Sequence, residues 1–381
     1  MIDVIVPVFG GEEQTRRCLE SVRAAAQRTP FEVIVVDDAT PRPAIARYLD
    51  ELAGAGHVTL LRNETNRGFV HSANRGMALH ADRDVVLLNS DTEVANDWLD
   101  RIVAAAQSAE DIATVTPFSN NATICSYPYE GWPGGVPGTL GIAALDRAAA
   151  HANAGRRANI PTAIGFCMLV RRACLARIGA FDAEHFGRGY GEENDFCMRA
   201  AAAGWRHVLA ADVFVFHEGA ASFREERAAL VERATATLGR MHPEYQPAVH
   251  AFIAADPLSG LRMALDQARL AHGSEEALAV LAERQAERAM IQERLREANT
   301  EREALRAGLA EATAIVGRAI AERESALAER DAEVARLRVA LDRAEKLAFE
   351  RLDELERIRR MPLWRYYRRL FQGDGKATKN G

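Results

Sequence analysis

Val85-Val86-Leu87-Leu88 ends abruptly on Asn89-Ser90-Asp91, a polar cluster that carries one carboxylate. A short run this rich in Val and Leu has the composition of a buried parallel strand, and the carboxyl end of such a strand is where an open α/β sheet presents ligand-binding groups. Asp91 is suited there to hold a divalent cation against the phosphates of a nucleotide. The alternative is a helix cap, with a helix beginning near Val94. A second concentration of chemistry lies at 186–199, where Glu192, Glu193 and Asp195 follow Gly187, Gly189 and Gly191 and open an amphipathic helix running to Ala203. The helix dipole favours acids in a first turn. That explains one or two of the three acids, but neither the glycines nor His217, which arrives at a strand end one helix later. Asn66-Arg67-Gly68-Phe69, with Asn74 beyond it, offers a guanidinium for a base or phosphate and a glycine that permits close backbone approach.

These groups need elements to position them. Residues 2–8 form an apolar run ending in Pro7-Val8-Phe9-Gly10-Gly11, and 32–36 form another ending in Asp37-Asp38. Residues 213–216 form a later one, ending in His217-Glu218-Gly219. Helical patterns fill 13–26, 44–53 and 97–107. Strands alternating with helices imply parallel βαβ units and a sheet covered on both faces. Such a sheet gathers its polar strand ends along one edge, and that convergence favours a site over a chance cap. The stretch 119–141, rich in Asn, Pro, Gly and aromatics (Tyr127, Tyr129, Trp132), is either a lid over a ligand or a passive surface loop.

At 381 residues the chain exceeds one typical domain and is long enough to bury a substantial core. A net charge of -6 and a pI near 6.0 give no overall attraction for nucleic acid, so none is expected as a partner. Five scattered cysteines, Cys18, Cys125, Cys167, Cys174 and Cys197, show no CxxC pair and suggest reduced, buried thiols. There is no signal-peptide pattern, and no run approaches the roughly 18 apolar residues of a spanning helix. The expected location is cytoplasmic.

The composition changes along the chain. A mixed domain over 1–250 and a linker over 251–275 precede a region over 276–360 dominated by Ala, Glu, Arg and Leu. Val334, Leu337, Leu341, Ala344, Ala348, Leu352 and Leu355 follow the three-four spacing of a coiled-coil seam, and Leu305, Leu309, Ala312 and Val316 keep the rhythm upstream. The seam predicts a coiled coil that joins copies of the chain, or a helical hairpin folded back on itself. The tail, 361–381, begins with alternating basic and aromatic residues over 361–371. They suit peripheral contact with the inner face of an anionic membrane, or a cap on the helices.

Taken together, residues 2 to about 225 resemble the inverting family 2 glycosyltransferases of GT-A fold. The matching segments are IVPVFGG (5–11), VIVVDDAT (33–40), NRGF (66–69) with Asn74, LLNSDTEV (87–94), GFCMLVRR (165–172), GRGYGEENDFCMRA (187–200) and FHEGAASF (216–223). The likeness is greatest to bacterial, rhamnosyltransferase-like enzymes of cell-surface polysaccharide synthesis. The last third of the chain lies outside it.

The resemblance implies an α/β GT-A domain that moves a sugar from a UDP- or dTDP-linked donor to a hydroxyl of a glycan or lipid-linked acceptor. Pro7, Val8 and Phe9 would line the nucleobase pocket, Asp38 would bond the base, and Asp37 would support the ribose side. Arg67 and Asn74 would fix base and donor. Asn89 and Ser90 would lie against the donor, Asn89 standing where the family often has the first Asp of its D-x-D element. Asp91 and His217 would bind Mg²⁺ or Mn²⁺. Glu193 matches the catalytic base, with Asp195 and Glu192 as the other carboxylates able to serve. Two other readings remain. A sugar-nucleotide nucleotidyltransferase should carry a basic Gly-rich loop after the first strand, where this chain has the acidic Gly10-Gly11-Glu12-Glu13. A non-catalytic scaffold should carry damaged site motifs, and only Asn89 departs.

Overall fold

The computed structural model describes residues 1–187, 189–219, 224–325 and 331–360. In chain order the elements are β1 (Ile2–Val8), α1 (Glu12–Ala24), β2 (Phe31–Asp37), α2 (Pro43–Gly54), β3 (Thr59–Arg62), α3 (Phe69–Met77), β4 (Asp84–Leu88), β5 (Thr92–Glu93), α4 (Trp98–Gln107) and β6 (Ile112–Phe118). There follow α5 (Ile142–Ala152), β7 (Arg157–Ile160), β8 (Cys167–Val170), α6 (Arg172–Ile178), α7 (Ala183–Phe186), α8 (Glu192–Ala202), β9 (Arg206–Phe214) and β10 (Phe216–His217). The rest is helical: α9 (Arg224–Met241), α10 (Tyr245–Ala255), α11 (Ser259–Leu270), α12 (Ser274–Ser325) and α13 (Asp331–Arg360).

The main sheet has the order β3-β2-β1-β4-β8-β6-β9-β7. The β3–β2–β1–β4 half is parallel, β6 and β9 are parallel, and β8 runs antiparallel between β4 and β6. Both faces are covered, and the two-residue period of the strands decides which side chain goes where. Val4, Val6 and Val8 of β1 with Val86 and Leu88 of β4 face α1, α2, α4, α5 and α11; Ile5, Val85 and Leu87 face α3, α6 and α8. A mostly parallel, two-sided α/β sheet is the architecture the family resemblance implies, and the long helices after it are those the composition of 276–360 implies. It brings the carboxyl ends of β1, β2 and β4 to one edge.

The chain divides into two compact units, Met1–Ile253 with Pro257–Glu283, and Ala254–Asp256 with Arg284–Gly381. The stretch expected as linker, 251–275, holds the end of α10 and all of α11. Leu258, Leu261 and Leu265 are buried in the same core as α5, and the Asn153 side chain donates to the Leu261 carbonyl at 3.1 Å. In the second unit α13 returns along α12, with Arg351 bonded to Glu301 at 2.7 Å. Of the seam residues whose side chains are described, Val316, Ala348 and Leu355 are buried and none is fully exposed, so the heptad pattern is satisfied by a hairpin within one chain. All five cysteines are free and buried. Among the described residues no helix is long and apolar enough to cross a membrane. The basic aromatic segment 361–371 lies outside the described residues.

Candidate active site

Asp91 does not cap a helix. After β4 the chain makes a turn, with the Thr92 N–H and hydroxyl both donating to the Asn89 carbonyl, and then forms β5. The helix α4 begins only at Trp98. The short strand β10 pairs antiparallel with β5, setting His217 opposite Thr92, and the Glu218 N–H donates to the Asp91 carbonyl at 3.0 Å. This two-stranded ladder brings His217 Nε2 to 3.4 Å from an Asp91 carboxylate oxygen.

The other ring nitrogen determines what His217 can do. Nδ1 lies 2.7 Å from the Asn121 carbonyl, which only accepts, so Nδ1 carries a hydrogen and Nε2 is the nitrogen turned to Asp91. The imidazole is stacked on Phe166 at 5.2 Å, and the Asn120 side chain grips the His217 backbone on both sides, accepting from its N–H and donating to its carbonyl. Nε2 and the Asp91 carboxylate face each other favourably only with a cation between them, a proton on Nε2 or a metal ion. Burial pushes the Asp91 carboxyl upward, but the His217 hydrogen bond and charge outweigh that and leave it below the usual range, hence ionised. An oriented imidazole and an ionised carboxylate fit a Mg²⁺- or Mn²⁺-type ion whose other positions are filled by phosphate and water.

The acids of α8 have a different environment. Gly191 caps the helix at φ +91°, and a Cβ there would sit 3.0 Å from the Phe186 ring, so glycine sets both the turn and the approach. Glu192 is buried, and one carboxylate oxygen of each of Glu192 and Glu193 has no hydrogen-bond partner. Burial raises both carboxyls above the ordinary range. Glu192 is raised well above it, because the Glu193 charge adds to burial, whereas backbone N–H groups at the helix start pull Glu193 back down. Glu192 therefore keeps its proton and Glu193 ionises first. Glu193 packs over Gly165, its Cγ 3.8 Å from where a Cβ would stand. The adjoining Phe166 stacks on His217 and accepts from the Asn89 N–H at 2.8 Å. The dipeptide Gly165-Phe166 thus joins the carboxylate pair to the Asp91–His217 pair.

The remaining candidates sit toward β1 and β2. Asp38 accepts from Asn63 Nδ2 at 2.7 Å, from the Arg67 N–H at 2.9 Å and from the Gly68 N–H at 2.8 Å, so it shapes the Asn66-Arg67-Gly68 loop. Asp37 accepts from the Thr40 N–H and from Arg62. Val8 turns its side chain into the core, leaving Pro7 half-buried and Phe9 exposed at that end. The Arg67 guanidinium is exposed and has no ion pair or side-chain hydrogen bond among the described residues. The Asn74 amide is fully engaged by the Phe181 backbone, donating to its carbonyl at 2.8 Å and accepting from its N–H at 3.1 Å. Ser90 and Asn89 are half-buried beside Asp91. Asp195 points elsewhere, buried between Arg199 at 2.8 Å and His242 at 2.9 Å.

Several contributors were not legible from motif reading. Asn120 and Asn121 follow β6, and the strand-end rule that singled out Asp91 also applies to them. Phe166 has no chemical signal of its own. Tyr245, whose hydroxyl is raised by burial and by the Glu193 charge, is reached only through the α9–α10 turn. Among the described residues one trio, Asp3, Glu32 and His80, brings three ligand atoms within 4.8 Å of one another. It lies at the amino ends of β1 and β2, the opposite edge, and Arg83 already bridges both acids there.

The chain is 25% identical over 256 residues to N-acetylglucosaminyl-diphospho-decaprenol L-rhamnosyltransferase of Mycobacterium tuberculosis, covering 58% of this chain and 77% of that one. It is also 25% identical over 235 residues to the uncharacterized protein y4gI of Sinorhizobium fredii, of which it spans only 25%. Among solved structures, the mannosyltransferase PcManGT of Pyrobaculum calidifontis, in complex with GDP-Man and Mn²⁺, is 21% identical with a TM-score of 0.46, covering 75% of this chain and 79% of that one. Residues 3–179 match the family described as Glycosyl transferase family 2. Residues 3–179 are a family 2 glycosyltransferase domain.

Proposed function

We propose that this protein is an inverting, metal-dependent glycosyltransferase that moves a sugar from a UDP- or dTDP-linked donor to a hydroxyl of a glycan or lipid-linked acceptor, in cell-surface polysaccharide synthesis. The observation that carries the reading is the Gly165-Phe166 bridge, which ties an ionisable carboxylate in a partly desolvated pocket to an oriented imidazole whose Nε2 faces a carboxylate. The Mycobacterium tuberculosis relative, by its name, acts on a lipid-linked diphosphate sugar, and this supports the acceptor class.

In this reading Asp91 and His217 would hold the divalent ion, and Asn89 would offer it a neutral oxygen. When bound, the ion neutralises the charge left on the nucleoside diphosphate. Arg67 and the loop shaped by Asp38 hold the nucleotide, with Pro7 and Phe9 at the base. The acceptor oxygen attacks the anomeric carbon as the bond from that carbon to the diphosphate oxygen breaks. Its proton passes to Glu193 and the nucleoside diphosphate departs, so one displacement with one base inverts the centre. The raised Glu193 carboxyl suits proton abstraction, and neutral Glu192 beside it avoids a second charge in the pocket.

The test is thermal stabilisation by a panel of nucleotide sugars with and without Mn²⁺, since a ligand that binds the folded state raises its melting point with affinity and concentration. A metal-dependent rise with one donor, lost in Asp91→Ala, is expected. Stabilisation by no nucleotide sugar, or an equal rise in Asp91→Ala, would overturn the reading.

A further inference from the structure

Arg269, on α11, is fully buried, and a cluster inside the first compact unit accounts for all of its charge. Its guanidinium donates bidentately to Glu283 at 2.6 and 2.8 Å, to Glu276 at 2.5 Å and to the Tyr127 hydroxyl at 2.9 Å. That hydroxyl donates in turn to Asp266 at 2.7 Å. Glu276 also accepts from the N–H and hydroxyl of Thr139 at 2.6 and 2.8 Å. Gly138, at φ +72°, permits the approach, since a Cβ there would stand 2.2 Å from both the guanidinium and the Glu276 carboxylate. The corner between α11 and α12 therefore grips the 127–139 stretch at two points. A buried Arg with several carboxylates is costly to desolvate, and such clusters contribute more to fixing one arrangement than to stability.

What this arrangement fixes can be followed bond by bond. Tyr127 donates its N–H to the Ser119 carbonyl at 2.7 Å, closing a short loop whose middle is the 3₁₀ turn Thr123–Cys125. Directly after that closing bond comes Asn120-Asn121, which clamps the His217 backbone through the Asn120 amide and orients its ring through the Asn121 carbonyl. We propose that the buried Arg269 cluster is a positioning device for His217: it holds the 119–127 loop by Tyr127, and the loop holds the imidazole with Nε2 toward Asp91. This rests on the reading of His217 as a metal ligand. It gives the start of the helical extension a part in ion binding, with Asn120, Tyr127 and Arg269 as positioning residues that never touch the ion.

The experiment titrates Mn²⁺ into the full chain with UDP or dTDP present, following free Mn²⁺ by its electron paramagnetic resonance signal well below each variant's melting temperature. Partners that orient a ligating His typically contribute about 10–100-fold in metal affinity. On that scale Asn120→Ala should weaken binding by about tenfold, and Tyr127→Phe, two bonds further away, by about threefold. His217→Ala should abolish it. Tyr127→Phe keeps the ring and removes one hydroxyl, so it remains informative if Arg269→Met fails to fold. Wild-type affinity in Tyr127→Phe and in folded Arg269→Met, with binding lost in His217→Ala, would overturn the positioning role and leave the metal site standing. Absence of Mn²⁺ binding by the wild type, or wild-type binding by His217→Ala, would overturn both.

Discussion

Acidification should loosen the attachment of helix α8, through His207. This residue is buried on β9, where Nε2 lies 2.9 Å from the Cys197 carbonyl of α8 and Nδ1 lies 2.7 Å from the Thr114 hydroxyl of β6. The carbonyl only accepts, so Nε2 carries the hydrogen and Nδ1 accepts from Thr114; the neutral ring ties α8 to the sheet. Burial, opposed only weakly by the Cys197 carbonyl, pulls its pKa down from 6.5 to about 4. The unfolded chain therefore binds a proton between these values that the folded one refuses, so stability is full above pH 6.5 and falls as pH drops toward 4. At about 1.4 kcal/mol per tenfold change in proton affinity, the whole window is worth about 3 kcal/mol, and the step from pH 7 to pH 5 about 2 kcal/mol. His207→Gln keeps a donor and an acceptor but does not titrate. Urea unfolding followed by tryptophan fluorescence at the two pH values should show the wild type losing about 2 kcal/mol more than the variant. Glu192 and Glu193 shift in the opposite direction, because carboxyls with raised folded-state pKa values gain stability on acidification. They are common to both proteins and cancel in the comparison. Equal acid sensitivity in the two proteins would refute the reasoning.

Two further substitutions bear on the donor end. Arg67→Ala should weaken nucleotide-sugar binding by about 10- to 100-fold, as expected for one hydrogen bond to a charged group. It should change stability by less than about 0.5 kcal/mol, because the exposed guanidinium bonds nothing among the described residues; calorimetric titration beside a melting curve checks both. Asn89→Asp supplies the charge missing beside Asp91 and should tighten Mn²⁺ binding in the presence of nucleotide by about tenfold. Unchanged or weaker binding would place Asn89 away from the ion.

Local sequence signals determined more of the sheet than of the site. The runs at 2–8 and 31–37 are apolar apart from Asp3, Glu32 and Asp37 because both faces of a parallel strand are buried, and their ends and the following helices were readable to within two residues or so. The strands β6 and β8 and the edge strand β7 were not read, since they are recruited by pairing partners far away in sequence. Asp91 illustrates the limit at the site. By itself Asn89-Ser90-Asp91 reads equally well as a cap, and what distinguishes the two is β10, whose partner β5 is two residues long and has no periodicity to detect. Likewise the heptad seam predicts that its apolar face is covered, but not whether a second copy or the same chain covers it; here Arg351 of α13 pairs with Glu301 of α12 within one chain, and Val316, Ala348 and Leu355 are buried. The Arg269 cluster lay in a stretch expected to be linker, because its charges look solvated until α11 packs against α5.

Catalysis by Glu193 in a metal-loaded sugar-nucleotide site is the central claim. Its most direct test is release of nucleoside diphosphate from the stabilising donor with Mn²⁺ present, by the wild type and by Glu193→Gln, beside donor affinity for both. The account predicts wild-type donor affinity in the variant with turnover reduced by about 10²–10⁴-fold, the usual contribution of a positioned general base. Undiminished turnover in Glu193→Gln would contradict it.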